Sequence, residues 1–197
     1  MLKQARLLLV IVAIGGISLC AQADASILAG GGFDDANDLA AWTIGGNSLP
    51  VISGDAFGLA PQAGDGYLAF TGNNVVENGF AYQDVVVTSG QWYRLEFYWG
   101  GRGIGGAQVT VTADDGGALV SEEFTANTIG IWTLASYDFQ AGNSPIRIQF
   151  QETSDNSVNK GPGIDSVSLT AIPEPATFIV WSLLGGLGIF VTSWRRR

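Results

Sequence analysis

The sequence predicts an all-β protein: an antiparallel β-sandwich flanked by an N-terminal signal peptide helix and a C-terminal transmembrane helix. Three observations carry this. Between residues 24 and 171 no window holds a helical period, whereas short runs rich in Val, Ile, Tyr, Phe and Trp recur between clusters of Gly, Asn and Asp. Several runs alternate apolar with polar residues, as a strand with one buried face must. The two ends of the chain are instead continuous apolar segments with basic flanks.

At the N-terminus, Lys3 and Arg6 precede an apolar run over 7–19, and Ala21-Gln22-Ala23 supplies small residues at the spacing a signal peptidase needs. Residues 1–23 are therefore expected to be a secretory signal peptide cut after Ala23, with a cut after Ala25 as the alternative. Lipidation at Cys20 is disfavoured by the bulky Leu19 before it. Cys20 is the sole cysteine and leaves with the signal, so the exported chain has no disulfide, thiolate ligand or thiol nucleophile. The sequence contains no histidine, which removes the commonest general base and the commonest transition-metal ligand.

The middle of the chain, 24–171, is one domain by size. Every acidic residue except Glu174 lies in it, against only Arg94, Arg102, Arg147 and Lys160, and the whole chain has a formal charge of −9. Such a surface repels nucleic acid and anionic lipid and favours solubility. Candidate strands fall at 26–29, 41–44, 50–52, 67–71, 81–88, 91–100, 107–113, 118–124, 132–139, 146–152 and 164–171. Tyr93, Leu95, Phe97 and Trp99 share one parity, and Arg94, Glu96 and Tyr98 the other. Ile146, Ile148 and Phe150 likewise oppose Arg147, Gln149 and Gln151, and Val109 and Val111 oppose Gln108, Thr110 and Thr112. Asp114-Asp115-Gly116-Gly117 reads as a hairpin turn, and Thr88-Ser89-Gly90-Gln91 as another.

At the C-terminus, Pro173-Glu174-Pro175 is followed by a stretch without ionisable residues and then Arg195, Arg196 and Arg197. A helix over 176–194 would be about 28 Å long, close to the ~30 Å hydrocarbon thickness. The arginines hold its end in the cytoplasm, which places the acidic domain outside. The prolines disfavour helix before it, so the span begins after them. This order resembles the PEP-CTERM sorting signal of Gram-negative bacteria, over 172–197 with the transmembrane helix at 177–194 and a basic tail. The resemblance implies an exosortase as processing partner after signal peptidase. It also implies an inner-membrane anchor that is transient or permanent, and a destination at the cell surface or in the extracellular biofilm matrix. An ordinary single-span anchor is the alternative.

Three fragments of the middle resemble carbohydrate-binding modules of the galactose-binding-like jelly-roll type. They are Gly31-Gly32-Phe33-Asp34-Asp35 with Trp42; Ala81-Tyr82-Gln83-Asp84-Val85-Val86-Val87 leading through Gly90 into Trp92-Tyr93-Arg94-Leu95-Glu96-Phe97; and Gly163-Ile164-Asp165-Ser166-Val167-Ser168-Leu169. The first has glycine where asparagine is common and aspartate where glutamate is common. The resemblance implies a jelly roll with Trp42 and Trp132 in its core. It also implies a structural calcium held by Asp34 or Asp35 with Asp165, which suits a hard cation that needs only oxygen ligands. Turn capping and bonds to nearby amides are the plainer roles for these acids.

Polysaccharide binding is expected on the polar parity: Tyr82, Asp84, Arg94, Glu96, Tyr98, Arg147, Gln149 and Gln151, with Trp92 and Arg102 at the rim. A solvated face of cross-strand Arg to Glu or Asp pairs is the competing reading. Catalysis is not expected. The pairs Asp114-Asp115 and Glu122-Glu123 point to opposite faces of a strand, whereas glycosidases need two carboxyls facing across a cleft. The glycine-rich run from Trp99 to Gly106 lacks the Gly-Lys-Ser/Thr ending of a phosphate loop. The expected function is a non-catalytic surface or matrix module that binds polysaccharide; a structural or adhesive protein with protein partners is the alternative.

Overall fold

A computed structural model describes residues 25–46, 51–54, 58–70, 78–102, 107–154 and 161–173. The expected signal peptide, Glu174, Pro175, the membrane span and Arg195, Arg196 and Arg197 lie outside the described residues. Among the described residues no helix is long and apolar enough to cross a membrane.

The elements are α1 (Ala36–Ala40), β1 (Thr43–Gly45), β2 (Val51–Ser53), β3 (Tyr67–Ala69), β4 (Phe80–Val85), β5 (Trp92–Gly100), β6 (Ala107–Asp114), β7 (Ala118–Ala126), β8 (Trp132–Gln140), β9 (Ile146–Glu152) and β10 (Gly163–Ile172). They form two five-stranded sheets, β1-β4-β9-β6-β7 and β2-β3-β10-β5-β8, and all named strand pairs are antiparallel. The domain is the expected antiparallel β-sandwich.

Alternation decides which side chains fill the space between the sheets. Leu95, Phe97, Val109, Val111, Ile146, Ile148, Phe150 and Leu169 are fully buried, and their odd-numbered or even-numbered partners face out. An aromatic chain runs along this core: Phe33 to Trp42 at 5.4 Å, Trp42 to Phe150 at 5.8 Å, Phe150 to Phe97 at 5.2 Å and Phe97 to Phe124 at 5.6 Å between ring centroids. These tilted and edge-on contacts add to the transfer energy of burial, itself about 1.5–3 kcal/mol per large side chain.

The 114–117 turn behaves as expected. β6 and β7 pair across it, Asp114 Oδ1 accepts from the Gly116 amide at 2.6 Å, and Gly116 takes φ +103°. The 88–91 turn does not make a hairpin. β4 is flanked by β1 and β9 and β5 by β10 and β8, so this turn carries the chain from one sheet to the other. It is pinned there by Gly90 N donating to Ala141 O at 2.7 Å and Ala141 N donating to Gln91 O at 3.0 Å. A hairpin and an inter-sheet arch want the same turn residues, so local chemistry could not separate them.

Two further departures concern the N-terminal part. The run at 26–29 is no strand, though it lies along β10 through Ile27 N to Leu169 O at 2.9 Å and Leu169 N to Ser26 Oγ at 3.1 Å. Helix α1 was not expected. It is one short turn capped by Asp35, whose Oδ1 accepts from the amides of Asn37 at 2.7 Å and Asp38 at 3.1 Å.

Candidate functional site

The polar positions expected to form one surface are divided between two. Tyr82 and Asp84 on β4 and Arg147, Gln149 and Gln151 on β9 lie on the outer face of the first sheet. Trp92, Arg94, Glu96 and Tyr98 on β5 lie on the outer face of the second, on the far side of the sandwich. Parity was right within every strand. What fails is their union into one site, because parity says nothing about sheet membership.

Arg102 is at no rim. It is buried at 2% exposure, and its guanidinium donates from Nε to Gly161 O at 3.1 Å and from Nη2 to Phe70 O. Those bonds tie the chain after β5 to the segments next to β3 and β10, a structural role.

On the first-sheet face, register sets three cross-strand rows. Phe80 opposes Gln151, which opposes Thr110; Tyr82 opposes Gln149, which opposes Thr112; Asp84 opposes Arg147, which opposes Asp114. Phe80 and Tyr82 stack at 6.1 Å with 22° between their planes, and the Arg147 guanidinium lies over the Tyr82 ring at 3.9 Å. Arg147 also grips Asp84 in a bidentate pair, Nε to Oδ1 at 2.7 Å and Nη2 to Oδ2 at 2.8 Å. Those bonds hold the Asp84 carboxyl below its ordinary range and raise Arg147. Gln151 uses its amide on Asn78 O at 2.9 Å, whereas Gln149 has only a long contact to Gln151 Oε1 at 3.4 Å. The face therefore offers two half-buried aromatic rings beside an amide and the hydroxyls of Thr110 and Thr112. Phe80 was missed from sequence. Its signal was there, since it shares the parity of Tyr82 two residues on.

The second-sheet face is more self-contained. Arg94 pairs with Asp138 at 2.7 and 2.8 Å, and Ser136 donates to Glu96 at 3.1 Å. Trp92 stands 42% exposed at one end of β5, with Tyr98 beside the half-exposed Leu134 toward the other.

The acids expected to hold calcium do not converge into a cage. Asp35 turns its oxygens to the N-terminus of α1, which also keeps its carboxyl below the ordinary range. Asp34 Oδ1 accepts from Asp65 N at 2.7 Å. Asp165, fully buried at the bulge of β10, accepts at Oδ2 from Gln62 N at 2.8 Å and Ala63 N at 3.3 Å, and at Oδ1 from Ser166 N at 2.6 Å. All three carboxylates are committed to main-chain amides, and among the described residues no three acidic or other metal-ligating side chains cluster. Desolvation raises the Asp165 carboxyl against the pull of its amide donors, and the nearby Asp34 charge raises it further.

The β-sandwich is similar in fold to solved carbohydrate-binding modules. The module TmCBM61, solved in complex with β-1,4-galactotriose, superposes with a TM-score of 0.59 at 18% identity over 75% of this chain and 99% of its own. The tandem CBM22-1-CBM22-2 of Paenibacillus barcinonensis Xyn10C gives 0.55 at 13% identity, covering 80% of this chain and 52% of that one. The enzymatically active domain of Bacteriophage CBA120 tailspike protein 4 gives 0.54 at 13% identity, covering 75% of this chain and 21% of that one. In sequence, 142 residues, 72% of this chain, are 24% identical to halomucin of Haloquadratum walsbyi, of whose length they span only 2%. No family model matches the chain.

Proposed function

We propose that the protein is an exported, exosortase-processed component of a cell surface or extracellular matrix whose β-sandwich binds polysaccharide without cleaving it. The observation that carries the binding function is the outer face of the first sheet, where Phe80 and Tyr82 stack beside Gln149, Gln151, Thr110 and Thr112. Aromatic edges and faces match the apolar faces of pyranose rings, and neutral amides and hydroxyls match sugar hydroxyls without a charge to desolvate. The Asp84–Arg147 pair closes one end of this row, with the Arg147 guanidinium over the Tyr82 ring. Of the residues expected to bind glycan, this reading keeps Tyr82, Asp84, Arg147, Gln149 and Gln151. It releases Trp92, Arg94, Glu96 and Tyr98 to the opposite face and Arg102 to the interior.

Affinity electrophoresis through gels containing neutral polysaccharides tests it. Phe80→Ala combined with Tyr82→Ala should abolish retardation, and Tyr98→Ala should leave it intact. Retardation that persists in the double variant would remove this face, and a protein retarded by no polysaccharide would favour the adhesive, protein-binding alternative.

Processing is tested separately. The Pro173-Glu174-Pro175 motif ahead of an apolar segment and three arginines supports cleavage near the motif by an exosortase. Mass mapping of the C-terminus in a host with its exosortase should find a chain ending near the motif, and in a host lacking it one ending at Arg197. A chain ending at Arg197 in both would leave a plain anchor.

A further inference from the structure

The end of the sandwich at which β10 finishes presents apolar side chains and little charge. Ile172, the last residue of β10, pairs with Trp92 at the start of β5, and Trp92 pairs in turn with Gln140 at the end of β8. The 88–91 turn is folded onto the same place, since Gln91 Nε2 donates to Ile172 O at 2.6 Å and Gln140 Nε2 to Gly90 O at 2.7 Å. At this tip Val86, just past β4, stands 82% exposed and Trp92 42%. The Val87 amide donates to Ser144 Oγ at 3.1 Å, which fixes the stretch against 140–145. Two large apolar side chains are thus held toward solvent by anchored backbone.

The domain is strongly acidic, yet 86–92 and 140–145 contain no ionisable side chain. The nearest charges are engaged: Asp84 with Arg147, Asp138 with Arg94, Asp114 with the Gly116 amide, and Asp115 with the amides of Gly142 and Asn143. Chain length decides what this tip meets. Pro173, Glu174 and Pro175 alone separate Ile172 from the apolar segment that starts at Ala176. Fully extended, the chain from Ile172 to Ala176 reaches at most about 14 Å. The polar layer on each side of the hydrocarbon is itself about 5–7 Å thick, so any lean in the linker brings the tip into it. The chain also enters the domain at this end. Ile27 N donates to Leu169 O and Val167 N to Gly31 O, so 27–31 runs antiparallel to β10 and its start lies toward the finish of β10.

We propose that this uncharged tip docks, through Val86 and Trp92, on the polar–apolar boundary of the membrane in which the chain is anchored, standing the sandwich on end. The proposal rests on reading 176–194 as a membrane span. Tryptophan suits this layer because one part of its ring system is apolar and its N–H wants a polar partner. A short tether holds the tip at high effective concentration, so a contact too weak to bind free protein to lipid is enough. The partner is the neutral boundary rather than anionic headgroups, since neither loop carries a cation and the domain is acidic.

The test uses the full chain reconstituted in phosphatidylcholine nanodiscs. Cys20→Ser clears the background, and Thr88→Cys at the tip or Ile131→Cys at the other end carries a nitrobenzoxadiazole label. Ile131 precedes Trp132, which pairs with Gly100 while Gln140 pairs with Trp92, so the two labels are separated by the length of β8, about 26 Å. Lipid brominated in the upper part of its acyl chains should quench the Thr88 label and leave the Ile131 label untouched. Val86→Asp with Trp92→Asp should lower the Thr88 quenching to the level at Ile131, with near-UV dichroism matching the parent. Adding phosphatidylglycerol should not raise it. Equal quenching of the two labels in the parent, or Thr88 quenching unchanged in the double variant, overturns the docking and leaves the anchor standing. Quenching that rises with phosphatidylglycerol overturns the neutral, apolar contact. A chain that does not incorporate into nanodiscs overturns anchor and docking together.

Discussion

Phe150→Ala should lower the unfolding free energy by about 3–5 kcal/mol, measured as a shift of the urea midpoint at constant slope. Phe150 is fully buried on β9, a strand with neighbours on both sides, and its ring contacts both Trp42 at 5.8 Å and Phe97 at 5.2 Å. Truncation removes the ring's transfer energy and leaves a cavity between two sheets that cannot close independently, since each is fixed by its own ladders. A loss under about 1 kcal/mol would mean that the two sheets do not pack through this aromatic chain.

Asp165→Ala should cost about 1–3 kcal/mol, because the amides of Gln62, Ala63 and Ser166 lose their acceptor together. The effect should carry a pH signature. Asp165 has its folded carboxyl raised above the ordinary 3.8, so the folded state holds this proton more tightly than the unfolded one. Its contribution is therefore most favourable at low pH and declines as pH rises from about 3.8 through the raised folded value. The variant lacks this titration, so the stability difference between parent and variant should narrow over that rise. Asp84 and Asp138 behave oppositely. Their arginine partners lower them, so what they contribute is present above 3.8 and is lost as pH falls, and their exposure keeps it small. A widening difference with rising pH would refute this account of Asp165.

Much of the strand content was legible because one rule governs it. Side chains leave a strand alternately, so Tyr93, Leu95 and Phe97, or Ile146, Ile148 and Phe150, could be assigned to the core from spacing alone, and the structure buries all six. The hairpin at Gly116 was legible because a two-strand return needs positive φ and glycine supplies it. Helix α1 was not legible: five residues hold barely one turn, too short for a period, and only Asp35 as a cap marks its start. Phe80 was overlooked because strand β4 begins one residue earlier than its apolar run suggested. That Trp92 stands beside Ile172 could not have been read at all, since the two are far apart in sequence and meet only when β5 pairs with β10.

The amino-acid sequence by itself determined the strands, the inward and outward face of each, and a middle domain without thiol or imidazole, because these depend on residue type and on spacing within one stretch of chain. Only the tertiary structure decided that Tyr82 and Tyr98 stand on opposite sides of the molecule, that Arg102 is interior, and that Asp34, Asp35 and Asp165 each serve amides. The physical reason is that hydrogen-bonded ladders join residues far apart in sequence, and which strand edges pair depends on all ten strands together rather than on any of them alone.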